Sequence, residues 1–314
     1  MTPKRVSYLL VLVIAAVGCT KDEDGEPVTP TVVAGLRYVN VVPDTIGMSI
    51  RVIDVVGDAP NTVNATFRTG GAPYGVGIVG LPLHTAVLAG TRSIRAFLSS
   101  TNPAIASTIV LDTSFTFEAN KNYSVYLWGY ANPANGTPAL AAMLVTDSVP
   151  TIDTASVALR VIHLAPTFSG NAVLTTTAVN VTFDSLGLTA APATGCVAPR
   201  CTSFTNVQPG EVRSYQTVTR RLAVTGPPAV AALNYRASVA TSAAPTVLGF
   251  AADVPNGTLA VTSSQTNAIA GDLTSGSALT AILVPRSVAG TGATNFTTPA
   301  MLFIVDQRPP RAFP

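Results

Sequence analysis

Charge is scarce in this chain: Asp, Glu, Lys and Arg make up 11% of its 314 residues. A nucleic-acid binder needs a basic stripe to neutralise phosphates, so that class is excluded. Histidine is nearly absent as well. With only His84 and His163, and with Cys196 and Cys201 as the one close cysteine pair, a four-ligand zinc site lacks partners. The chain also has no G-x-S-x-G elbow, no H-E-x-x-H, no phosphate-binding glycine loop and no calcium loop of alternating acids. Its carboxylates are too scattered for the paired acids of glycoside hydrolysis to be nominated. No cofactor is implied.

Strongly apolar runs are absent too, apart from Val6–Val17, which is too short for a stable membrane span. Lys4 and Arg5 precede it and Gly18-Cys19 closes it, the order of a secretory signal. Ala16-Val17-Gly18-Cys19 resembles the bacterial lipobox. That resemblance implies cleavage after residue 18, a lipid on Cys19 and a membrane held through acyl chains. Loss of the signal removes Lys4 and Arg5 but no acid, leaving 16 basic against 16 acidic residues. The mature chain is therefore formally neutral. Residues 19–34 read as a flexible tether, and Lys21-Asp22-Glu23 resembles the surface-export signal of Bacteroidota lipoproteins. The expected location is the outer membrane, lipid-anchored, facing either the periplasm or the surface. In an oxidising compartment, Cys196 and Cys201 most simply close a small disulfide loop.

From Leu36 onward, short β-branched runs alternate with turn punctuation such as Pro43-Asp44, Asn132-Pro133, Pro209-Gly210 and Asn256-Gly257. This pattern predicts an all-β sandwich or barrel. An internal repeat organises it. Leu36-Arg37-Tyr38-Val39-Asn40-Val41-Val42-Pro43 aligns with Leu159-Arg160-Val161-Ile162-His163-Leu164-Ala165-Pro166, and Thr137–Val145 aligns with Thr298–Val305. Two tandem Ig-like or related antiparallel β-sandwich domains are expected, at 35–152 and 156–314, the second carrying an insertion around the cysteine loop.

The stretch Arg160-Val161-Ile162-His163-Leu164-Ala165-Pro166, followed by Val179–Asp184 and the Gln208-Pro209-Gly210 turn, is similar to the domain-of-unknown-function family 4397. The resemblance implies an exported β-sandwich, often in tandem, and is carried chiefly by the second copy. The first copy has Asn40 where the family favours His.

Tyr126, Trp128 and Tyr130 fall at period two on one strand face. Exposed, they would stack on sugar rings; buried, they would anchor a core, and the core reading is favoured. His163 is either a ligand or base at a strand end or, as favoured, a buried ring bonded to loop backbone. Asp54 and Asp184 read as turn acids. The functional expectation is a non-enzymatic binding or structural module of the cell envelope, with a glycan or envelope protein as ligand. The alternatives are a carbohydrate-binding protein using the aromatic row and, less favoured, a hydrolase.

Overall fold

The computed structural model describes residues 31–52, 72–73, 84–165, 178–184, 201–220, 235–241, 247–257, 270–293 and 296–308. Their regular secondary structure is strand apart from a four-residue helical turn, α1 (Pro103–Ala106), and a 3₁₀ turn, Pro133–Asn135. Val33 onward forms one compact unit.

The described strands form four sheets. The first has the order β4 (Thr85–Leu88), β1 (Val33–Val41), β7 (Asn122–Trp128), β8 (Ala141–Thr146). The second runs β3 (Ala72–Pro73), β2 (Gly47–Val52), β5 (Gly90–Leu98), β6 (Ile109–Phe117). The third is β12 (Glu211–Val212), β9 (Ser156–His163), β16 (Ala278–Val284), β17 (Ala300–Gln307), with β13 (Gln216–Thr219) also on β9. The fourth is β11 (Cys201–Val207), β10 (Val179–Asp184), β14 (Arg236–Thr241), β15 (Val247–Asp253). The third and fourth sheets thus repeat the strand order of the first and second.

Pairing is not purely antiparallel, which corrects the expectation from sequence. The opening strand of each half lies parallel to the last strand but one: β1 on β7, and β9 on β16. Parallel neighbours need a long crossover, and here the intervening strands of the other sheet supply it. Strands so placed are buried on both faces and lose the polar alternation of a half-exposed sheet. All seven residues of β16 are buried, as are the last six of β1.

Three apolar clusters follow from this layering. Leu36, Tyr38, Val125 and Leu127 pack with Ile50, Ile94 and Phe117 between the first and second sheets. Leu159, Val161, Leu279 and Ala281 pack with Val181, Phe183 and Val239 between the third and fourth. The third cluster joins the halves: Val39, Val41, Tyr126 and Val145 meet Ile162, Leu164, Ile282, Val284, Leu302 and Ile304. Each such aliphatic side chain contributes roughly 1.5–3 kcal/mol when fully buried, so the halves share a core.

Candidate functional site

Because β1, β7, β9 and β16 are buried along most of their length, a charge within them must find a partner inside the protein. Alternation sends Arg37, Val39 and Val41 to one face of β1, and Ser124, Tyr126 and Trp128 to the same side of β7. The second half does likewise with Arg160 and Ile162 on β9, Leu164 just beyond it, and with Thr280, Ile282 and Val284 on β16. Along the last strand of each half the steps run Met143 and Val145 to Asp147 just past β8, and Leu302 and Ile304 to Asp306 in β17. The face joining the halves is therefore apolar along most of its length and charged at one end.

At that end the contacts are reciprocal. Arg37 is level with Ser124 in the strand register and donates its Nε–H to the Ser124 hydroxyl; Arg160 is level with Thr280 and does the same. Each arginine then reaches across to the closing strand of the other half. Arg37 Nη1 donates to the Val305 carbonyl (3.2 Å) and Nη2 to Asp306. Arg160 Nη1 lies 3.4 Å from the Thr146 carbonyl and Nη2 2.6 Å from Asp147 Oδ1. Asp147 also lies 3.1 Å from Arg37, and Asp306 lies 3.4 Å from Arg160. Ser124 and Thr280 pass their own hydroxyl hydrogens to Asp147 and Asp306. Side-chain exposure is 0% for Arg37 and Asp306, 2% for Asp147 and 3% for Arg160.

Burial works against charge on Asp147, but the hydrogen bond with His84 (3.0 Å), the two guanidinium groups and Ser124 outweigh it and hold its carboxyl at about 2. Burial also opposes the charge on Arg37; Tyr126, Asp306 and Asp147 prevail and push its pKa up. The Tyr126 phenol, fully buried, is raised to about 12. Asp147 is thus anionic and Tyr126 protonated at neutral pH, and neither is poised to exchange a proton there. The arrangement is suited to holding two surfaces together. Beside it, the Arg160 guanidinium stacks over the Tyr215 ring at 4.8 Å. An open groove of about 440 Å³ runs past this pair between Ser148-Val149-Pro150 and Val212.

The residues singled out from sequence fall mostly elsewhere. Tyr126 is fully buried in the core between the halves, and Tyr130 is 4% exposed. Trp128 is half-buried, its ring against Gly210 of the Pro209-Gly210 turn. The row therefore presents no continuous ring face to solvent. His163 is buried, and its Nδ1 accepts from the Ala165 amide at 3.3 Å. Its repeat counterpart Asn40 does the same, Oδ1 accepting from the Val42 amide at 3.0 Å. The His-to-Asn difference between the copies thus preserves one contact, an acceptor for the backbone two residues on. Asp184 closes β10; Asp54 lies outside the described residues. Cys201 opens β11, buried, while Cys19 and Cys196 also lie outside the described residues. Among the described residues no three of His, Cys, Asp or Glu gather as a metal site, and no helix is long and apolar enough to cross a membrane.

None of Arg37, Asp147, Arg160 and Asp306 was nominated as a site residue from sequence, although both arginines stand in the aligned repeat and Arg160 opens the family-like stretch. The available signal was a charge at one end of each two-residue apolar stepping pattern.

The fold is all-β. Residues 34–170 match the family profile described as "Domain of unknown function (DUF4397)". The match thus covers the first copy and runs through β9 and the Arg160–Pro166 stretch, whereas the sequence pattern had pointed chiefly to the second copy. No curated protein matches the chain. Among solved structures, one described as "a putative adhesin from Bacteroides ovatus" is 9% identical over 86% of this chain and 92% of its own, with a TM-score of 0.21. Another, described as "a putative cell adhesion protein from Bacteroides eggerthii DSM 20697", is 9% identical over 89% of this chain and 97% of its own, with a TM-score of 0.23. Scores at this level carry no argument about function.

Proposed function

We propose that the chain is an exported lipoprotein of the outer membrane, cut after residue 18 and anchored through lipid on Cys19, with residues 19–34 as tether. In this reading it carries two tandem β-sandwich domains, 35–152 and 156–314, fused into one non-enzymatic binding or structural module of the cell envelope. A Cys196–Cys201 disulfide closes the loop before β11. The ligand is a glycan or another envelope protein, recognised by loops held on the rigid body.

The observation that carries the non-enzymatic part is the reciprocal charge cluster. Four buried charged groups, Arg37, Asp147, Arg160 and Asp306, neutralise one another across the joint between the halves, whereas catalysis needs such groups free to act on a substrate. The burial of Tyr126 and Tyr130 supports packing as the role of the aromatic row, and with it a ligand site elsewhere.

Metabolic labelling with an alkynyl fatty acid, followed by fractionation and protease shaving of intact cells, tests the reading. Wild type should take up label and sediment with the outer membrane, while Cys19→Ala should do neither. Label uptake by Cys19→Ala, or a soluble wild type, contradicts the anchor; resistance of wild type to shaving restricts the protein to the periplasmic face.

A further inference from the structure

We propose that the face joining the two halves also serves as an exchange surface between two copies of this chain, each copy lending one half to the other. The face is self-complementary. Each half offers the same set: an arginine on its opening strand, a hydroxyl level with it on the parallel strand, a carboxylate at the far end of the closing strand, and aliphatic residues at steps of two beside them. Contacts of the kind "i meets j and j meets i" define a two-fold interface between identical subunits. Here Arg37 meets Asp306, and its counterpart Arg160 meets Asp147, the counterpart of Asp306.

Nothing in this set distinguishes the second half of the same chain from that of another copy. The covalent link is the segment 148–155, which belongs to no sheet and whose Ser148, Pro150, Thr151, Asp153, Thr154 and Ala155 are exposed. Extended, its eight residues reach roughly 26 Å. Opening this segment in two chains lets the first half of each dock on the second half of the other. Every ion pair, hydrogen bond and apolar contact of the joint is then re-formed. Closed monomer and exchanged dimer differ in link strain and in concentration, and short hinge segments favour the dimer. The mature chain's formal neutrality leaves no net charge to keep copies apart.

The test uses the unlipidated full chain (Cys19→Ala) with a site-specific protease sequence inserted after Pro150. It is refolded from denaturant at ~1 μM and at ~100 μM, since mass action favours the dimer at the higher concentration, and its mass is read by light scattering. The expected result is a single chain of about 32.1 kDa at low concentration and twice that mass at high concentration. Cutting the link should return the dimer to the mass of one chain, because each cut body holds one first half and one second half. A monomer at both concentrations overturns the proposal, as does a dimer that keeps its doubled mass after cutting. A second variant, deleting Val149–Asp153, leaves the cluster intact and makes closure harder. It should be dimeric at both concentrations, and a folded monomer of this variant likewise overturns the proposal.

Discussion

Replacing Asp306 by Asn probes the joint most sharply. Its carboxylate receives both arginines at Oδ1 and Thr280 at Oδ2, and neither Asp306 nor Arg37 has exposed side-chain area, so water cannot take the place of the lost charge. Removing one partner of a buried ion pair costs about 3–5 kcal/mol, chiefly because the remaining charge is stranded. Asp147 stays 3.1 Å from Arg37 and 2.6 Å from Arg160 and compensates in part. The expected loss is therefore near the lower bound, about 3 kcal/mol. For a body of this size that is a fall in melting temperature of roughly 6–12 °C. Guanidinium unfolding followed by Trp128, the single tryptophan, measures it. The control is Asp112→Asn, which removes the partner of Arg95 where the two side chains are 42% and 47% exposed. There the change should stay within about 1 kcal/mol. If Asp306→Asn costs no more than this control, the cluster does not hold the halves together and the reasoning fails. Replacing all four charged residues by Met and Leu should recover much of the loss, because the desolvation penalty is removed along with the attraction.

Acid sensitivity follows from Asp147. Its folded value of about 2 lies below the ordinary 3.8, so its contribution is complete above about pH 4 and is lost as pH falls towards 2. Stability titrations of wild type should show that loss, about 2 kcal/mol, and Asp147→Asn should lack it. At Gly210, φ is +80° and an added Cβ would lie 3.1 Å from the Trp128 ring. Gly210→Ala should therefore cost roughly 1–2 kcal/mol from backbone strain alone and shift Trp128 emission; unchanged stability and emission would show that the two halves do not touch there. Asp44 accepts hydrogen bonds from the amides of Ala131 and Asn132 and from Asn135 Nδ2, at 3.0, 2.9 and 2.9 Å. Asp44→Ala should lower stability by about 2 kcal/mol and speed hydrogen exchange at Ala131 and Asn132, whereas unchanged exchange would dissociate that loop from the carboxylate.

Local patterning carried the strand content, because period-two alternation is a property of neighbouring residues. The burial of Tyr126 and Tyr130 agrees with packing as the role of the aromatic row, whereas Trp128, the expected anchor, is half-buried. The parallel placement of β1 on β7 could not be read the same way. Strand order depends on long-range pairing, and a buried strand's continuous apolar run looks alike in either direction. The cluster was hidden for a related reason. Arg37 and Asp306 are 269 residues apart, and each is unremarkable within its own stretch. Only the register of four strands brings them level. His163 drew attention as the rarer residue, yet its work is the backbone acceptor contact that Asn40 performs in the other copy.

Differential scanning calorimetry of the mature chain tests the central claim, that a shared core and a reciprocal charge cluster make the two halves one body. A single body unfolds in one transition whose calorimetric and van't Hoff enthalpies agree. Two resolved transitions, each carrying about half of the total enthalpy, would contradict it.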